Sequence, residues 1–143
     1  MLTQAEANAL IAMQKSFSSP AMISLPAGSD QTHELVGSDE RERFLLDLYR
    51  GTIRLSKVKF QTRGRSVIVL VRLDLDGSPH TNPDGSHVGR THLHLYREGF
   101  DDKWAYTIDP NFFSSPQDVE GTFKRFCEYC NIIGVPNFQE GLL

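Results

Sequence analysis

Val67, Val69, Val71, Leu73 and Leu75 recur at every second position, the clearest period-two run in the chain. Successive side chains of a strand point to opposite faces, so such a run commits one face to a core and makes a sheet the centre of the fold. Val58 and Phe60 precede it across Arg63-Gly64-Arg65-Ser66. A two-residue primed turn at Gly64-Arg65 predicts a hairpin that pairs Phe60 with Val69 and Val58 with Val71. Ile53 and Leu55 are out of phase with Val58 and Phe60, which predicts a bulge near Ser56 and turns Lys57 and Lys59 away from the valines. The expectation is that Val67, Val69, Val71, Leu73, Leu93 and Leu95 are buried and the two lysines exposed.

Helix signals flank this region. Thr3 and Glu6 form a capping box opening a helix to about Phe17, with Leu2, Ala5, Leu10, Met13 and Phe17 along one stripe. Ala21 to Pro26 and Glu34 to Gly37 read as short strands around the turn at residues 28–30. Ser38 caps a second expected helix, with Phe44, Leu45, Leu48 and Tyr49 as its apolar face and Gly51 at its end. Ser115-Pro116-Gln117-Asp118 opens the last, whose stripe is Val119, Phe123, Phe126, Cys127 and Cys130, with Asn131 at its end. Asn82-Pro83-Asp84-Gly85 is a type I turn signal that brings His80 and His87 together, after which strands run from Val88 to Arg97 and from Lys103 to about Ile108. The predicted architecture is α+β, an antiparallel meander of about four to six strands with helices packed on one face.

At 143 residues and 39% apolar, one domain over 1–143 is expected. No apolar run approaches the roughly 18 residues of a membrane span. The start, Met-Leu-Thr-Gln-Ala-Glu, lacks the pattern of a signal peptide, so a cytoplasmic protein is expected, with no membrane partner. Charge is unevenly spread. Residues 50–72 carry seven bases (Arg50, Arg54, Lys57, Lys59, Arg63, Arg65, Arg72) and no acid within a chain of net charge −3. Such a segment attracts phosphates or an acidic partner, or simply keeps a sheet surface soluble.

The chemistry-bearing residues gather between residues 80 and 104. On a strand, His92, His94, Tyr96 and Glu98 share one face and Leu93 and Leu95 the other, with Lys103 and Trp104 returning alongside. Imidazoles at i and i+2 can reach one ion, with Asp74, Asp76, Asp84 or Glu98 to complete the set, but the spacing matches no known metal motif, and the reading adopted has no metal and no cofactor. A second use is acid–base work on a phosphodiester: His92 and His94 as catalytic pair, Arg97 and Lys103 as phosphate grips, Tyr96 and Trp104 as stacking surface, His80 and His87 near the ligand. A third is a hydrogen-bonded sheet face that meets a protein. Cys127 and Cys130 have the spacing of half a zinc site, yet both fall on an apolar helical stripe, where cysteine acts as a small hydrophobe.

Two resemblances bear on this segment. Pro79-His80-Thr81-Asn82-Pro83-Asp84-Gly85, then His92-Leu-His94-Leu-Tyr-Arg-Glu-Gly-Phe-Asp-Asp-Lys-Trp-Ala and Phe126-Cys-Glu-Tyr-Cys-Asn-Ile-Ile, resemble a family of small uncharacterised bacterial and prophage proteins, from about Leu48 to Val135. That likeness implies no particular activity. Its setting, mobile elements, implies a toxin, an antitoxin or an inhibitor of host defence. His92-Leu-His94-Leu-Tyr96 is also similar to the His-x-His-x-His strand of histidine-triad nucleotide hydrolases, with Tyr96 in place of the last histidine. The functional expectation is a mobile-element protein that binds, and in one form cleaves, RNA or a phosphate-bearing ligand. The alternative is a non-catalytic inhibitor of the antitoxin or anti-CRISPR kind that binds a protein.

Overall fold

The structure, a computed structural model, describes residues 1–139. Its nine strands are β1 (Lys15–Phe17), β2 (Asp30–Gly37), β3 (Arg43–Arg50), β4 (Val58–Gly64), β5 (Ile68–Leu75), β6 (His80–Thr81), β7 (His87–Val88), β8 (His92–Leu95) and β9 (Ala105–Tyr106). Seven of them make one sheet in the order β1-β2-β3-β4-β5-β8-β9, every neighbour antiparallel. The β6–β7 hairpin is a separate ribbon inserted between β5 and β8. With helices α1 (Gln4–Ala12) and α2 (Val119–Tyr129), the class is α+β, built mainly from sheet. Among the described residues no helix is long and apolar enough to cross a membrane.

Alternation places Leu35, Phe44, Leu46, Leu48, Val58, Phe60 and Leu73 in the core, each fully buried. α2 lays Phe123 and Phe126 against Phe60, with ring centroids 5.2 and 5.9 Å away, and α1 adds Ala7 and Leu10 to the same cluster. Thr3 and Glu6 close the expected capping box on α1.

Several expected elements take a different form. The helix expected after Ser38 is a tight turn and a strand: Asp39 accepts hydrogen bonds from the Arg41 and Glu42 amides, Glu40 takes φ 62°, and β3 runs between β2 and β4. Phe44, Leu46 and Leu48 are its buried row, and Leu45 and Tyr49 point the other way. The first helix stops at Ala12, and Lys15 to Phe17 become β1 instead of its last turn. The last helix starts at Val119 with Asp118 as its cap, later than Ser115. Between Ala21 and Pro26 only Ile23 forms a bridge, to Phe138.

The central hairpin turns one residue later than expected. Gly64 stays in β4 opposite Ile68, because a Cβ there would stand 3.1 Å from Leu70 Cδ1, with Leu10 of α1 just beyond. Arg65 and Ser66 therefore take the left-handed positions, at φ 51° and 70°. The bulge lies between Thr62 and Arg63 and not near Ser56, and Phe60 pairs with Leu73 and Val58 with Leu75. In consequence Val67 is 77% exposed and Val69 only partly buried, while Val71, Leu73 and Leu93 are buried as expected and Leu95 is partly so. Lys57 and Lys59 do face away from the core, half-buried and not fully exposed.

Cys127 and Cys130 are both buried, with free thiols whose pKa values burial pushes upward. Replacing both with alanine should lower unfolding free energy by about 1–2 kcal/mol per site through lost packing, read from urea unfolding. A double variant as stable as the parent would show that these sulfurs fill no necessary volume.

Candidate functional site

Residues paired across antiparallel strands share a face, so register alone determines which side chains meet. On the face opposite the core, Asp30, Tyr49, Lys59, Asp74 and His92 form one cross-strand row from β2 to β8. Thr32, Asp47, Gln61, Arg72 and His94 form the next. One half of this face is an open groove of about 670 Å³ lined by Tyr49, Lys57, Lys59, Gln61, Arg63 and Arg72, among others. The other half is closed by a buried cluster.

That cluster is Arg72, Asp74, His92 and His94. His92 and His94 are each 1% exposed and Asp74 7%. Asp74 divides its oxygens: Oδ1 accepts from Arg72 Nε at 3.0 Å, whereas Oδ2 faces His92 Nε2 at 3.3 Å and His94 Nε2 at 3.7 Å. Burial opposes ionisation of Asp74, but hydrogen bonds from the two imidazoles and the Arg72 charge outweigh it and hold its pKa well below the ordinary carboxylate value. Both imidazoles are oriented from behind. His92 Nδ1 lies 2.7 Å from the Gly89 carbonyl and His94 Nδ1 2.8 Å from that of Asp102. Carbonyls only accept, so each Nδ1 carries a proton and each Nε2 is turned inward. Arg72 extends the network to His94 Nε2 at 2.9 Å and to Asp102 Oδ2 at 3.3 Å.

His80 lies over the pair, with its ring 4.7 Å from that of His94 and 5.8 Å from that of His92, and its Nε2 on the Lys103 carbonyl at 2.8 Å. It does so because the β6–β7 register is Thr81 with His87 and His80 with Val88, not His80 beside His87 as the turn signal predicts. His87 is exposed and holds Thr81 Oγ1 at 3.0 Å.

The remaining expected site residues scatter. Tyr96 leaves the histidine row: the strand ends at Leu95, the chain turns, and the phenol enters the core to donate to the Leu2 carbonyl at 2.6 Å. A stacking role for Tyr96 therefore lacks an exposed ring. Arg97 lies over Trp104, 4.3 Å from the ring, and Lys103 is exposed. Trp104 Nε1 is a buried donor without an acceptor among the described residues. Asp74 was visible in the sequence only as one of four optional carboxylates, and Arg72 only as part of a basic run. Tyr49 was hidden by the helix expected at its position. The signal for it was the Phe44, Leu46, Leu48 alternation, which turns Asp47 and Tyr49 outward.

A model for a family of unknown function, DUF6978, matches residues 2–132. The chain belongs to that family. No curated protein and no solved structure matches it. The DUF6978 match spans both rows of the polar face and the whole buried cluster, so the site lies within the part of the chain that defines the family.

Proposed function

We propose that the polar sheet face binds a phosphate-bearing ligand, of which single-stranded RNA is the polymer best suited to it. The observation that carries this reading is the pair Lys57 and Lys59. They line the groove with Tyr49 and, among the described residues, form no ion pair, whereas Arg63 is taken by Asp47 and Arg72 by Asp74 and Asp102. Two ammonium groups without an ion pair beside a phenol suit a backbone phosphate next to a stacked base. Gln61 and Thr32 also line the groove, and both donate to Asp47, at 2.7 and 2.8 Å. Binding is proposed, and cleavage by His92 and His94 is not, because every ring nitrogen of that pair already faces a protein group and neither imidazole reaches solvent.

The competing reading is a protein partner, favoured by Phe100, 38% exposed, packed with Arg97 on Trp104. The test is anisotropy with a short labelled single-stranded RNA over a range of salt. Lys57→Glu with Lys59→Glu should weaken binding by about tenfold or more and flatten its salt dependence. No RNA binding by the wild type, or binding untouched by the double reversal, overturns the reading. A protein complex lost in Trp104→Ala but kept in the lysine variant would favour the competitor.

A further inference from the structure

We propose that Asp74, His92 and His94 form a binding site for one divalent transition-metal ion of the zinc class. This is independent of the RNA reading, since it uses the closed half of the face and none of the groove lysines.

His92 Nδ1 carries a proton, because its partner is a carbonyl. Its Nε2 then presents a lone pair 3.3 Å from Asp74 Oδ2. Two acceptors that face one another in a buried place call for an electropositive centre between them, a shared proton or a metal ion. His94 repeats the pattern, with Nδ1 on the Asp102 carbonyl and Nε2 turned to the same Oδ2.

Distances separate the two choices. Ligands 2.0–2.1 Å from a tetrahedral zinc stand about 3.3 Å from one another. Asp74 Oδ2 lies 3.3 and 3.7 Å from the two Nε2 atoms, and all three ligand atoms fall within 4.8 Å of each other. A shared proton serves one imidazole and Arg72 Nη2 the other, at 2.9 Å, whereas a single ion at this spacing takes all three ligand atoms at once. Imidazoles held through Nδ1–H by backbone carbonyls, with a carboxylate oriented through its other oxygen, are the arrangement by which proteins aim Nε2 at a metal.

Arg72 sets the condition for loading. Its Nη2 donates to His94 Nε2 at 2.9 Å and occupies the lone pair that the ion needs. On binding, that contact is replaced, while Nε keeps Asp74 Oδ1 and Nη1 keeps Asp102 Oδ2. His80 covers both histidines with its ring and holds the Lys103 carbonyl through Nε2, so the converging ligand atoms are those of Asp74, His92 and His94. The ligand set of two imidazoles and one carboxylate, with a fourth place for an exogenous ligand, suits zinc, cobalt(II) or iron(II), and disfavours magnesium and calcium, which take oxygen ligands.

The experiment uses the whole chain, stripped with a chelator and titrated with Co²⁺ and Zn²⁺, followed by the visible cobalt spectrum and by long-range ¹H–¹⁵N spectra of the imidazoles. One equivalent should bind, with a four- or five-coordinate cobalt band that zinc displaces. The His92 and His94 Nε2 resonances should shift while their Nδ1 protons remain. Asp74→Ala and His94→Ala should each weaken binding at least 100-fold, and the Cys127→Ala, Cys130→Ala double variant should bind unchanged. Since the core variants risk unfolding, the wild-type spectra decide on their own: His92 and His94 Nε2 resonances that do not move at saturating zinc overturn the proposal. So does binding abolished by His87→Ala, which would place the ion at the exposed hairpin.

Discussion

Lys15→Met should destabilise the fold by about 3–5 kcal/mol, more than any other single change to a charged residue outside the histidine cluster. Lys15 is 1% exposed, and its ammonium donates to the carbonyls of Ile11, Met13 and Cys130 at 2.9, 2.8 and 2.8 Å. Those carbonyls lie at or just beyond the ends of α1 and α2, where the helix dipoles concentrate negative charge. One side chain thus joins two helix ends to β1, with the Phe44 ring 4.8 Å from its nitrogen. Methionine keeps the stem volume and removes all three donors, so the loss reports the hydrogen bonds. The charge itself is held at a cost: burial lowers the Lys15 pKa to about 8, against an unfolded value of about 10.5. Between those values the unfolded chain holds a proton that the folded chain has released. Stability from this group therefore rises with pH across that window, and the rise should be absent from Lys15→Met. Denaturant unfolding from pH 7 to 10.5 measures both. A variant as stable as the wild type would mean that water serves these carbonyls equally well.

Lys15 also shows what a sequence conceals. Lys15 fell inside the helix expected to run to about Phe17, where a lysine reads as solvent-facing, and nothing in its neighbours announces two helix ends arriving from positions 11 and 130. The period-two run from Val71 to Leu75 was legible because it has one explanation. Phe44, Leu45, Leu48 and Tyr49 had two, since their spacing satisfies a helix stripe, while Phe44, Leu46 and Leu48 satisfy a strand. The strand prevails because β2 and β4 flank it and pair its backbone on both sides, a non-local fact. Gly64 looked like a turn residue, yet its missing side chain is used by Leu70 and Leu10, and the register of the hairpin moves accordingly. At the site, His92 and His94 stood out by rarity and alternation. Their partner Asp74 depends on the β5–β8 register, which the sequence does not state, and Tyr96 was misplaced by extending a strand that ends at Leu95.

Asp74→Asn should cost about 3–5 kcal/mol at neutral pH, because it removes the single carboxylate that Arg72, His92 and His94 all face inside the sheet. The amide keeps the shape, so packing is not the cause. It supplies one oxygen and no charge, which leaves a half-buried guanidinium with Asp102 as its one remaining anion, at 3.3 Å, and turns the two Nε2 atoms toward a weak dipole. The pH dependence follows from the depressed Asp74 pKa. Its ionisation stabilises the fold above the unfolded carboxylate value of about 3.9, and that contribution is lost as pH falls toward the lower folded value. The difference between wild type and variant should therefore be largest near neutrality and shrink progressively below about pH 4. Urea unfolding of both proteins from pH 7 to 3 tests this. A gap that widened on acidification would mean that Asp74 takes up its proton more readily when folded, and a neutral carboxyl in that place would leave His92 without an anion to face.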